Sequence, residues 1–171
     1  GLRADIRWPN DLLFNDRKFC GILTELSSDS TRVNHVVVGI GINVRHQAFP
    51  AELSHLATSL ALETGKEISR VQLTAALLKS LDREYRALLR AVNSPVHSAE
   101  LRFAPILKRV ESRSSYSHGK HVQVDGEGGY VGVTDGLDAR GFLRVKTDHG
   151  LRMVISGSVR PAPGRSNAAG H

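Results

Sequence analysis

The stretch at residues 7–25, Arg-Trp-Pro-Asn-Asp-Leu-Leu-Phe-Asn-Asp-Arg-Lys-Phe-Cys-Gly-Ile-Leu-Thr-Glu, limits what this chain can fold into more than any other. Two apolar runs are interrupted by Asn15, Asp16 and Arg17, the pattern of two short strands joined by a polar turn. Lys18 opens the second strand. Side chains alternate across a strand, so Lys18, Cys20, Ile22 and Thr24 are expected on one side and Phe19, Gly21, Leu23 and Glu25 on the other. A cation at the mouth of an apolar strand suits an anionic ligand held against an apolar wall, because a partly desolvated ammonium interacts more strongly than one in water.

Residues 33–44 form a second informative strand. Val36, Val38, Ile40, Ile42 and Val44 fall on one face, expected to be core, and Val37, Gly39, Gly41 and Asn43 on the other. The second face loses its bulk at the two glycines and then offers one amide, which a flat ligand lying on a sheet requires; glycines packed under a helix would give the same pattern. Gly39-Ile40-Gly41 is no dinucleotide fingerprint, since the third glycine and the following helix are missing. Upstream, residues 5–8 read as a short strand stopped by Pro9, and Asn10 and Asp11 fit a turn in which they bond the local backbone.

Residues 58–64 predict a short helix ended by Gly65, and Ser69 with Gln72 predicts a capped start for a longer one. Its Leu73, Leu77, Leu81, Tyr85, Leu88 and Val92 recur at spacings of three or four and are expected to be core, in a helix that covers the sheet. Asn93-Ser94-Pro95 should end it, and one more helix around residues 101–110 is expected to break or restart at Pro105. From His121 the rhythm changes to short alternating runs separated by glycine-rich turns, which indicates a small barrel. Residues 162–171, rich in Pro, Gly, Ala and Ser, are expected to be disordered.

With 171 residues and 40% hydrophobic content, one or two domains are expected, and no apolar run is long enough to cross a membrane. The amino end has no secretory pattern; it lacks Met and enters a strand almost at once, so the chain is expected to be the back part of a longer protein. Cys20, the single cysteine, cannot form an internal disulfide, reads as a packing residue and fits a reducing cytoplasm. A formal charge of +6 invites a nucleic-acid reading. The positives are dispersed, however, and Arg83, Arg86 and Arg90 read as a solvated helix face without the aromatics that stack bases. His118 and His121, three apart in a glycine-containing loop, are too few for a metal site.

Three blocks in order, Arg7-Trp8-Pro9-Asn10-Asp11, Arg17-Lys18-Phe19-Cys20-Gly21-Ile22-Leu23 and Gly39-Ile40-Gly41-Ile42-Asn43, resemble the signature blocks of biotin protein ligases. The resemblance covers nearly the whole chain, and only the later part of that family's catalytic domain. It implies an α+β fold: a mixed, largely antiparallel sheet covered by helices, of the class II aminoacyl-tRNA-synthetase-like biotin/lipoate ligase type and incomplete at its amino end, then a small SH3-like β-barrel. Residues 1–113 would belong to the catalytic domain, 117–161 to the barrel and 162–171 to the tail. The implied activity is the ATP-dependent formation of biotinyl-AMP and transfer of biotin to a lysine of the biotin carboxyl carrier protein of acetyl-CoA carboxylase.

By the same resemblance, Lys18 would be catalytic, bridging the biotin carboxylate and the α-phosphate. Gly21, Ile22, Leu23, Gly39, Ile40 and Gly41 would line the biotin and adenylate site, and Asn43 would face the adenine. Asn10 and Asp11 would border the metal-bound phosphates, with Asp11 as a ligand to Mg2+. The barrel would contribute to ATP and carrier-protein contacts. A homodimer is compatible with this reading, and DNA binding is not expected in this chain. The sequence departs from the family in having no Gly-Arg-Gly-Arg type loop and in carrying Arg7 where Lys is usual, so weak biotin binding and little catalysis are expected of these 171 residues alone. A lipoate-type ligase, a nucleic-acid-binding module with a basic barrel and a degenerate non-catalytic partner are the alternatives.

Overall fold

The computed structural model describes residues 2–93, 98–126 and 128–163. By its contacts the chain divides into two compact units, Gly1–Ile6 with Asn10–Phe103, and Arg7–Pro9 with Ala104–His171.

The first unit is built on a four-stranded sheet in the order β1 (Asp5–Arg7), β2 (Asp11–Phe14), β3 (Arg17–Ser28), β4 (Val33–Ile42). The β2–β3 and β3–β4 pairs are antiparallel. Asn15 and Asp16 have positive φ of 49° and 61° and connect Phe14 to its partner Arg17. Asn and Asp tolerate that left-handed backbone, whose twist matches the flanking strands, so a two-residue turn suffices and Arg17 joins the strand. Phe14 and Phe19 stack with ring centroids 4.4 Å apart. With Cys20 they form a buried cluster against which Leu12, Ile22, Ile40, Ile42 and Leu60 pack.

Two expectations fail here. Ile40 and Ile42 pack on the core and Val44 is buried, but Val36 and Val38, on the same face, are about half exposed. Likewise the long helix α2 (Arg70–Val92) contains no buried residue, and Leu81, Tyr85 and Val92 of its expected core stripe are exposed. Periodicity shows that an apolar stripe exists and says nothing about what lies against it. Covering of the core cluster by helix comes instead from α1 (Leu60–Thr64) through Leu60. The caps are as the residues predict: Ser59 accepts from Leu62 N and Gly65 takes the left-handed conformation after α1, and Ser69 accepts from Gln72 N at the start of α2. α3 (Ala99–Glu111) runs through Pro105 without the expected break.

In the second unit, β5 (His118–Asp125), β6 (Tyr130–Leu137), β7 (Leu143–Thr147), β8 (Gly150–Val154) and β9 (Ser158–Pro161) make an antiparallel sheet in the order β8-β7-β6-β5-β9. Its inward positions, Val122, Val124, Leu143, Val145, Val154 and Val159, are nearly inaccessible, as period-two alternation requires. Trp8 belongs to this unit and donates its indole N–H to the Gly141 carbonyl at 3.0 Å. His118 and His121 lie on β5, not in a loop, and His118 Nε2 sits 3.4 Å from a Glu111 carboxylate oxygen. Among the described residues, no three metal-ligating side chains gather anywhere. From residue 164 the expected disordered tail lies outside the described residues, as do Ser94 and Pro95 at the expected helix end.

Gly132 on β6 is a packing requirement of this sheet. A Cβ there would collide with the Lys146 carbonyl and lie 2.5 Å from Val145 Cγ1, so the backbone of β7 would have to move. Gly132→Ala is expected to destabilise the unit by about 1–3 kcal/mol, the usual range for overpacking, read as a lower urea midpoint.

Candidate functional site

Lys18 owes its position to a bulge. Leu12 pairs with Cys20 and the next residue, Leu13, pairs with Lys18, so β3 advances two residues while β2 advances one, and Phe19 is the extra one. This overturns the simple alternation of β3: paired residues share a face, so Lys18 lies with Asp11 and Gly21 instead of opposite Gly21. Phe19 and Cys20 are both buried, which strict alternation would forbid in a one-sided strand. Burial pushes the Cys20 thiol up, against the opposing pull of the Lys18 ammonium, so it is a protonated packing group and not a nucleophile at neutral pH.

The Lys18 backbone is held on its other side. Its N–H donates to Leu56 O at 2.8 Å and its carbonyl accepts from Thr58 N at 2.9 Å, closing a parallel bridge to Ala57. Thr58 is fully buried and its hydroxyl donates to Glu63 Oε1 at 2.6 Å, the same oxygen that accepts from Arg17 Nη2 at 2.7 Å. A buried carboxylate on α1 thereby ties together the segment beside Lys18 and the residue before it. Sequence reading missed Thr58 and Glu63 as site supports. The hydroxyl and carboxylate at residues 58–64 looked like ordinary helix-start residues, and their partner Arg17 is distant in sequence.

The Lys18 ammonium lies 2.5 Å from Asp11 Oδ1. Its side chain is 44% exposed and that of Asp11 15%, so the pair contributes at most about 1 kcal/mol to stability, and its consequence is positional. Asn10 clamps the adjacent strand: its side-chain amide donates to Ile22 O at 2.6 Å and its carbonyl accepts from Ile22 N at 2.9 Å.

An open hollow of ≈ 470 Å³ lies on this sheet, lined by Asn10, Lys18, Gly21, Ile22, Leu23, Gly39, Ile40 and Gly41. These are eight of the ten residues expected from the sequence to bind ligand. Its floor follows from register: Gly21 pairs with Gly41, a row across β3 and β4 with no side chain, and Leu23 pairs with Gly39, a row whose one side chain is the exposed Leu23. A Cβ on Gly39 or Gly41 would meet no protein atom closer than 3.8 Å. Their bareness therefore makes room above the sheet and relieves no crowding within the protein. Of the remaining two, Asp11 reaches the hollow through Lys18. Asn43 does not line it: its side-chain amide donates to Thr58 O at 3.1 Å and its backbone N–H to Phe19 O at 2.8 Å. A primary ammonium at the rim of a glycine-floored, aliphatic-edged trough can hold a carboxylate or phosphate oxygen while an apolar ring lies flat beside it.

Residues 1–43 match the Biotin/lipoate A/B protein ligase family, and residues 117–160 match the Biotin protein ligase C terminal domain. The bifunctional ligase/repressor BirA of Bacillus subtilis is 34% identical over 164 residues, covering 93% of this chain and 46% of that protein. The biotin--[acetyl-CoA-carboxylase] ligase of Paracoccus denitrificans is 31% identical, covering 92% of this chain and 62% of its own length. Among solved structures, the apo biotin protein ligase from Aquifex aeolicus superimposes with a TM-score of 0.76 at 30% identity, over 94% of this chain and 66% of that one. The same enzyme in complex with biotin and ATP gives 0.73 at 30% identity, over 93% and 62%. The chain spans about half the length of the BirA relatives it matches. The four-stranded sheet with its helices, followed by the five-stranded antiparallel unit, fits an α+β fold with a barrel-like C-terminal domain, and the chain belongs to the biotin protein ligase family.

Proposed function

We propose that this chain supplies the biotin- and adenylate-binding sheet of an ATP-dependent biotin protein ligase, with Lys18 as its catalytic residue. The observation that carries the reading is the Lys18 ammonium at the rim of the hollow floored by Gly39 and Gly41. In the proposed reaction a biotin carboxylate oxygen attacks the α-phosphorus of ATP, pyrophosphate leaves, and a lysine amine of a biotin carboxyl carrier protein then displaces AMP from the mixed anhydride. Lys18 would neutralise charge that gathers between carboxylate and phosphate and hold the two in line. The Leu23 side chain would flank the ring and aliphatic chain, and the backbone at Ile22 and Ile40, whose side chains pack on the core, would lie beneath them.

Magnesium enters this reading only with ATP. Asp11 has one oxygen on Lys18 and would offer the ion its other, and among the described residues no trio of ligating side chains gathers, so ATP phosphates and water would supply the remaining ligands. No described helix is long and apolar enough to cross a membrane. We place the reaction in the cytoplasm, where the single buried Cys20 stays reduced.

The hollow is open, so a ligand on it stays largely in water. Titrating biotin into the 171-residue chain is expected to give a Kd weaker than about 10 μM, corresponding to less than about 7 kcal/mol. In the whole ligase, pyrophosphate exchange should depend on biotin and not respond to lipoate. Preference for lipoate would move the assignment to the sister activity, and salt-sensitive retention on RNA with no response to biotin would overturn it.

A further inference from the structure

Three independent features converge on one atom, the Lys18 Nζ. The bulge at Phe19 turns Lys18 onto the face of Gly21. Asp11 pairs directly with Gly21 across β2 and β3, which places its carboxylate over the position where Gly21 lacks a side chain. Into that gap Lys18 folds back: a Cβ on Gly21 would stand 2.8 Å from Nζ and 2.9 Å from Cε, and 3.6 Å from Asp11 Oδ1. The ammonium thus occupies the volume a side chain at position 21 would need. No comparable crowding exists at Gly39 or Gly41.

We propose that Gly21 and Asp11 are positioning residues for the Lys18 ammonium: Gly21 is its seat and Asp11 the acceptor that holds it there before substrate arrives. This rests on the reading of Lys18 as the catalytic cation and assigns Gly21 a task different from that of Gly39 and Gly41. Those two clear space for a ligand, and Gly21 clears space for the protein's own amine. Because the atom in conflict is the far end of a flexible side chain, Gly21→Ala displaces the ammonium without requiring the backbone to move. The fold therefore survives the substitution while the geometry of Lys18 does not.

The test begins without ligand. In the 171-residue chain with 13C-labelled lysine and glycine, a nuclear Overhauser cross-peak between Lys18 Hε and Gly21 Hα is expected in the unsubstituted protein. It should be kept in Gly41→Ala and lost in Asp11→Asn. Its absence from the unsubstituted protein, or its survival undiminished in Asp11→Asn, overturns the proposal. Biotin is then titrated into the same samples, followed by chemical shifts. Gly21→Ala should weaken biotin by about tenfold in the Lys18 background and by less than about twofold in the Lys18→Ala background, the non-additivity expected of residues acting through one group. Equal losses in both backgrounds would make Gly21 a ligand floor like its neighbours and end the positioning role. If the cross-peak behaves as expected while the whole ligase shows no response to biotin, the ligase reading falls and the Lys18 seat stands.

Discussion

Lys18→Ala in the whole ligase is expected to slow biotin-dependent pyrophosphate exchange by roughly 30- to 900-fold. That factor corresponds to about 2–4 kcal/mol of transition-state stabilisation, the scale on which loss of a single preorganised donor is felt. The loss should fall mainly on kcat, because the charge Lys18 would meet is greatest when carboxylate and α-phosphate share it. Stability should barely change. The side chain is 44% exposed and its Asp11 partner can hydrate, so a shift within about 0.5 kcal/mol is expected by urea titration. An intact fold with lost exchange separates catalysis from folding, whereas unchanged exchange would remove Lys18 from the mechanism. Lys18→Arg should recover only part of the rate, since a planar guanidinium cannot enter the small space above Gly21 as a compact ammonium does.

Glu63→Ala should have the opposite profile, with stability falling first. Its side chain is only 7% exposed and one oxygen accepts from both Arg17 and the buried Thr58 hydroxyl. Arg17 can turn to water after the substitution, being 38% exposed, but Thr58 cannot. A buried hydroxyl without a partner, added to a broken ion pair, costs about 2–3 kcal/mol. At a slope of about 1.5 kcal/mol per molar this lowers the urea midpoint by about 1.3–2 M. Glu63→Gln keeps an acceptor for Thr58 and should lose about half as much. A loss below about 0.5 kcal/mol for the alanine variant would mean that the knot beside Lys18 is not holding the unit together.

The two substitutions mark where sequence reading ends. Elements governed by neighbours along the chain were legible. Asn15 and Asp16 predicted a tight turn because few other residues accept positive φ, and both adopt it. Gly65 predicted a helix end and Ser69 a cap, and the short alternating runs after His121 predicted a small barrel, where the structure has a five-stranded antiparallel sheet. The bareness of Gly39 and Gly41 also followed from period-two spacing, and the structure finds open space above both.

Alternation failed at Phe19, because counting by twos assumes unbroken pairing and a bulge is a property of two strands taken together. The Asn43 amide could not be assigned from its strand, for its acceptor, Thr58 O, comes from a loop that returns to the sheet. Exposure of Val36, Val38 and the α2 stripe was equally out of reach, since apolar spacing marks a surface that can be buried without naming what buries it.

By itself the sequence determined the strands, turns and caps, and the order of the blocks that resemble the ligases, since these depend on side-chain shape and backbone preference over a few residues. Only the tertiary structure decided where the one important cation points. That depends on the register slip between β2 and β3, on the carboxylate of Asp11 opposite a missing side chain, and on the buried oxygen of Glu63 that anchors the neighbouring segment. Each is a contact between residues far apart along the chain, whose free energy is set by the folded geometry and not by local propensity.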